Sequence, residues 1–166
     1  MIMWNLITSF LCRPRMVNLI VAFARRRIYQ HIYDASGALY MGRWWVLREH
    51  RWFPYAIRLH HIAREDRDRD LHDHPYDYRT IILKGFYVWV GLPGRAHVLI
   101  EGDTDRHGAE HFHKITQVSE GGVWTLFIYR CRSKSNPWGF LTLNGHGAIR
   151  KVPWRDYLDS VRATQE

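Results

Sequence analysis

Cysteine is almost missing from this chain. Cys12 and Cys131 are the only two in 166 residues, which excludes a disulfide framework and a CxxC zinc site. A reducing cytoplasm is the expected compartment. Long apolar runs are missing too. The opening "MIMWNLITSFLCRPRMVNLIVAFARRR" is interrupted at Arg13 and again at Arg25, each time well short of the ~20 residues that span a bilayer. Its arginines follow the apolar stretch, whereas a secretory signal carries its charges first. No internal repeat, linker or low-complexity tract is found.

What is present is aromatic and rich in imidazole, with eleven histidines, eight tryptophans and nine tyrosines. That composition suits a β-rich domain with a polar cavity better than a helical bundle. A 46% hydrophobic content supplies a real core for a single domain. The net charge of +8 favours anionic partners, whether nucleic acid, a phosphorylated metabolite or a membrane surface.

Residues 1–33 are predicted as a helical extension of two short helices separated by Pro14. It either packs on the domain or a partner subunit, giving a homo-oligomer, or lies on an anionic membrane with Trp4, Phe10 and Phe23 at the interface. Residues 34–166 change to the pattern of strands. "ALYMGRWWVLRE" and "YAIRLHHIAR" read as two, the second with Tyr55, Ile57, Leu59 and His61 on one face. "EDRDRD", residues 65–70, alternates in sign and reads as a solvated loop. "YRTIILKGFYVWV" follows, with a hairpin or bend at Gly85, then "AHVLIEG", "HFHKITQV", "GVWTLFIYRC", "GFLTLNG" and "AIRKVPW". Short strands at this spacing indicate a sandwich or barrel. "PWRDYLDSVRATQE" closes the chain as a short helix.

Within this frame stands "HDHP", residues 72–75. In an extended segment His72 and His74 project to one face while Asp73 faces away. "HFHKI" brings His113, with His111 two residues before it, after a separation long enough for a sheet to return. Clustered neutral imidazoles suit one divalent transition metal: iron, manganese, zinc, nickel or copper. His60, His61, His97 and His107 read as ordinary strand or surface residues, with His61 the one whose strand could line a cavity.

"HDHPYDYRTIILKG" resembles the first motif of the cupins, and "HKITQV" resembles the histidine of the second. The chain also resembles uncharacterised small cupins of bacteria and phages that carry an HDHPxD stretch, through "WTLFIYR", "NPWGF" and "VPWRDYL", over roughly residues 38 to 158. The resemblance implies a mainly β cupin-type jelly roll with short terminal helices, and a metal held by His72, His74 and His113. The chain departs from the pattern in two places. Arg79 stands where the first motif carries its glutamate, and the proline and glycine ahead of the second histidine are missing, with Gln117 in place of asparagine. The fourth position is then filled by Asp77, by His111 as a replacement, or by water; the other reading of Asp77 is a turn residue capping backbone amides.

If Arg79, Ile81 and Leu83 share the inner face, the guanidinium reaches the metal and grips a small anionic substrate. Otherwise it pairs with Asp77 or Asp73. Tyr76, Tyr78, Trp89 and Trp124 are read as wall or core. Three classes of function follow: an oxygenase-like metal enzyme with iron first among the metals; a non-oxidative isomerase, epimerase or lyase using Glu110, His111 or Tyr78 as acid or base; or a module that binds a ligand, nucleic acid or membrane.

Overall fold

Pro14 separates α1 (Ile2–Leu11) from α2 (Pro14–Ala24) in the computed structural model, which describes residues 2–34, 37–66, 70–131, 137–143 and 148–163. Proline is favoured at the start of a helix because the amide it lacks has no intrahelical partner there. Among the described residues no single helix is long and apolar enough to cross a membrane; α1 and α2 have the length and composition only as a pair bent by 74°.

Eleven strands follow among the described residues: β1 (Ile32–Tyr33), β2 (Leu39–Leu47), β3 (Tyr55–Ile62), β4 (Tyr78–Lys84), β5 (Phe86–Gly91), β6 (Ala96–Ile100), β7 (Thr104–His107), β8 (His113–Val118), β9 (Val123–Arg130), β10 (Gly139–Leu143) and β11 (Ile149–Pro153). Helix α3 (Trp154–Ala163) follows at once. The strands form a six-stranded sheet in the order β1-β2-β3-β9-β4-β7, a three-stranded sheet β6-β5-β8, and the pair β10-β11. Every pairing is antiparallel. This is the jelly roll that the sequence predicts. Because β1 pairs with β2, the sheet starts ahead of residue 34.

Gly85 is a bend, not a hairpin: β4 and β5 lie in different sheets. Its φ of 84° is in the left-handed region, and a side chain there would run into Ser119 Oγ and the Gly122 carbonyl. Glycine therefore lets the chain cross from one sheet to the other.

The six-stranded sheet is buried on both faces. Trp44, Leu59, Ile81, Leu83 and Leu126 form its outer face, packed beneath Val17 and Ala24 of α2, with Trp4, Leu11 and Cys12 at the margin. Fully burying one such aliphatic side chain is worth about 1.5–3 kcal/mol, so the helical cover is a structural layer. Cys12 fastens it, its Sγ donating to the Ile82 carbonyl at 3.1 Å. The other face points into the barrel, where Ile62, Ile82, Tyr87, Trp89, Ile115 and Val123 pack together.

The acidic run differs from its expected form. Residues 67–69 lie outside the described residues, and Asp66 is buried at 4% exposure, accepting from the Tyr40 hydroxyl and from the Ile115 amide at 2.8 Å. A carboxylate that satisfies a strand amide is held inside by that bond. The segment leading out of β3 is thereby tied to β8.

Candidate metal centre

His72 lies between two strands. Its amide donates to the His113 carbonyl at 2.9 Å and its carbonyl accepts from the His113 amide at 3.0 Å, while a second bridge joins it to Phe140 of β10. Opposed residues of an antiparallel bridge project to the same side, so His72 and His113 share a face. His74, two residues on, joins them, its amide donating to the Ala109 carbonyl at 3.2 Å. Asp73 points the other way, as expected. It is fully buried, accepting from the Gly139 amide and the Lys151 ammonium, both at 2.7 Å. One tetrapeptide thus presents two imidazoles inward and anchors the β10-β11 pair with the side chain between them.

The three imidazoles converge. Ring centroids are 5.2 to 5.4 Å apart, and one nitrogen from each lies within 4.8 Å of the others. With metal–imidazole bonds of about 2.0–2.1 Å, small rotations close such a trio on one ion. Burial holds His74 and His113 well below the usual imidazole range, and neighbouring imidazoles add to the effect. Both are neutral, as ligation requires. His113 is oriented at both ends. Nδ1 faces the His111 carbonyl at 3.3 Å, and Nε2 lies 3.3 Å from the Tyr78 hydroxyl. Donation from Nδ1 to that carbonyl leaves the lone pair on Nε2, the nitrogen beside the Tyr78 hydroxyl.

Asp77 does not join the cluster. It is exposed, and Oδ1 accepts from the Ala109 amide at 2.9 Å; this is the turn-capping position. Arg79 is on the opposite face from the one expected. It lies above the Trp4 ring at 4.2 Å and donates to Thr104 Oγ1 at 3.1 Å, beneath α1. The inward residues of β4 are Tyr78, Thr80 and Ile82, and the first two line the cavity. Ile81 and Leu83, like Arg79, belong to the helix-covered side. A strand buried on both faces gives no hydrophobic signal of which face looks inward.

The same parity applies to β3. His61 stacks on Trp124 at 4.4 Å and bonds the Gly121 carbonyl on the outer side, while Arg58 and His60 face inward and line the cavity. Both are buried, at 5% and 8% exposure. Neither was singled out from the sequence as a site residue. The available signal was two polar residues alternating with Ile57, Leu59 and His61 in an otherwise apolar strand.

His111 stacks on His107 at 4.2 Å, and His107 Nε2 lies 3.1 Å from Asp105 Oδ2. These groups flank His113 but are not in the trio. Glu110 is exposed.

The cavity occupies about 430 Å³, between the two sheets and beneath Phe140, Trp154 and Leu158 of the carboxyl-terminal elements. Tyr78, Phe127 and Tyr76 form an aromatic wall beside the histidines.

No protein-family model and no curated protein sequence matches the chain. Solved structures do. A crystal structure of the DMSP lyases RdDddP and RnDddQII is similar with a TM-score of 0.58 at 14% identity, over 80% of this chain and 76% of that one. The polyketide cyclase RemF from Streptomyces resistomycificus aligns with a TM-score of 0.55 at 14% identity, over 73% and 84%. A cupin 2 conserved barrel domain protein from Rhodopseudomonas palustris gives 0.50 at 12%, over 70% and 76%. At these identities the likeness is one of fold.

Proposed function

From a cupin-type jelly roll with three converging imidazoles on its cavity wall, we propose that this chain is a metal-dependent enzyme acting on a small substrate. The observation that carries the reading is the trio itself: His72, His74 and His113, one nitrogen each within 4.8 Å, beside a cavity of about 430 Å³. These residues would hold one divalent transition metal, which when bound supplies a Lewis acid with open positions.

Tyr78 favours non-oxidative chemistry, as of a lyase, cyclase or isomerase. Its hydroxyl lies at the trio, 3.3 Å from His113 Nε2, and burial raises it well above the ordinary phenol range. It therefore keeps its proton and is placed to donate a hydrogen bond to a substrate oxygen at that point. Phe127 stacks on Tyr78 at 4.6 Å and fixes its ring. The lyase and cyclase among the similar folds support the same reading by analogy of fold alone. The oxygenase is the second reading, supported by imidazole donors that suit iron and leave positions for dioxygen and substrate.

The test uses full-length protein loaded in turn with iron(II), manganese and zinc, screened against small carboxylates, sugar phosphates and nucleotides under air and under argon. Product formed under argon is the expected result. Oxygen uptake dependent on one substrate would move the assignment to the oxygenase. Ligand binding without turnover under either gas, with all three metals, would make the chain a binding module. Tyr78→Phe should retain metal and lose about 10²- to 10³-fold in rate.

A further inference from the structure

We infer that Arg58 binds the carboxylate of a small organic substrate inside this cavity. The inference rests on the metal-enzyme reading and adds the substrate class to it.

Arg58 is 5% exposed, and no ion pair to a carboxylate is formed by it among the described residues. Its Nη2 donates to the Tyr129 hydroxyl at 2.7 Å and, weakly, to Tyr76 at 3.4 Å. The Nε–H is buried without an acceptor among the described residues. Among the described residues a carboxylate is linked to Arg58 through Tyr129, whose hydroxyl donates to Glu49 Oε1 at 2.6 Å. The guanidinium is held by rings: Tyr29 at 4.1 Å, Tyr129 at 4.5 Å, Trp45 at 4.8 Å and Tyr76 at 5.8 Å. Ring faces attract a cation but offer no in-plane acceptor for its N–H groups. The aromatic surround therefore accounts for the placement of the charge and leaves its hydrogen bonding incomplete.

The rest of the wall has the same polarity. Arg43 also lines the cavity, and Asp66, the one acid among the lining residues, is already engaged by Tyr40 and the Ile115 amide. His60, on the same face of β3 as Arg58, is 8% exposed and its Nε2 has no partner among the described residues. It stacks on Phe127 at 5.0 Å, and Phe127 lies 5.8 Å from His74. One continuous wall thus runs from the arginine to the metal trio. A ligand spanning it would set its carboxylate on Arg58, its carbon body on Phe127, and its reacting oxygen at the trio. At Arg58 itself a monoanionic carboxylate fits better than a dianionic group such as phosphate, because the rings around the guanidinium offer a second charge on the same group no partner.

The experiment is calorimetric titration of zinc-loaded full-length protein with acetate, propionate and benzoate, with the corresponding neutral amides, and with inorganic phosphate. Zinc content is measured alongside. At least one acid should bind more tightly than its amide. Arg58→Gln should weaken that acid about tenfold to a hundredfold with zinc content unchanged, and Arg58→Lys should fall between. Acids and amides binding alike, none binding, or an unaffected Arg58→Gln, each with zinc in place, would overturn the inference. Phosphate binding better than every acid would overturn the carboxylate assignment. Arg58-dependent acid binding by a wild-type chain that takes up no zinc would bring down the metal reading alone. If Arg58→Gln does not fold, the acid–amide comparison on the wild type and Arg58→Lys decide.

Discussion

His72 and His113 meet through the two backbone hydrogen bonds of one bridge, so replacing either side chain leaves the pairing that places the other. His72→Ala and His113→Ala should fold and lose the metal; elemental analysis of both against wild type checks this, and full metal content in either folded variant would remove that residue from the site. Acidity should act on the same groups. His60, His74 and His113 are all held below the ordinary imidazole value of 6.5, with burial the largest cause. The unfolded chain then binds protons that the folded site refuses. Stability of the metal-free protein is complete above 6.5 and declines as pH falls below it, by about 1.4 kcal/mol per pH unit for each such histidine until its lowered folded value is reached. Urea unfolding between pH 8 and 5 measures the slope; a flat profile would mean that these imidazoles protonate in place. The His72–His74 pair was legible because two-residue spacing has only one geometric meaning in an extended segment, and His113 because "HKITQV" resembles the histidine of the second cupin motif. Arg58 and His60 were not, because parity separates the faces of a strand without saying which looks inward.

At the scale of elements, β3 and β4 are the reason that Arg79 and Arg58 exchange roles. Both strands are buried on both sides, one face under the helices and one inside the barrel, and the fold places Ile57, Leu59, Ile81 and Leu83 on the helix-covered face. An inward clamp at Arg79 would require the polar residues Arg58, His60 and Thr80 to lie under the apolar helices instead. Strands with strong apolar runs were readable from the sequence. β7 was not, since Thr104–His107 is short, polar and preceded by turn residues. The β10-β11 pair depends on Asp73. Removing that carboxylate leaves the Gly139 amide and Lys151 without the acceptor they share. Asp73→Ala should cost about 1.5–3 kcal/mol, and Asp73→Asn less, since an amide oxygen still accepts from Gly139. Denaturant midpoints of the two variants test the order. Because Phe140 lines the cavity, Asp73→Ala should also weaken ligand binding.

For the whole molecule, we propose that α1 and α2 are a cover on the barrel, whose sheet begins at β1, just inside the 1–33 extension read from the sequence. Deleting them would uncover Trp44, Leu59, Ile81 and Leu83 together, a patch of the kind that associates in water. The truncated chain should aggregate or change mass in solution by light scattering; equal solubility and unchanged mass would show the cover to be dispensable. The outer side of the cover remains apolar, with Met3, Leu6, Phe10, Leu19 and Phe23 exposed, and residues 1–33 contain five arginines and no acid. Self-association and membrane contact therefore remain the two proposals for that surface, and vesicle co-sedimentation of the full chain separates them. The sequence announced these helices through Pro14 and their apolar spacing, but not the sheet face beneath them, which is set by long-range pairing. The bond from Cys12 to the Ile82 carbonyl makes the cover observable in time. Burial raises this thiol's pKa and so lowers its reactivity. Cys12 is half-buried at the margin of the cover, so its alkylation in a Cys131→Ser background should be slower than that of a free thiol, and faster labelling would report loosening of the helices without a probe near the histidines.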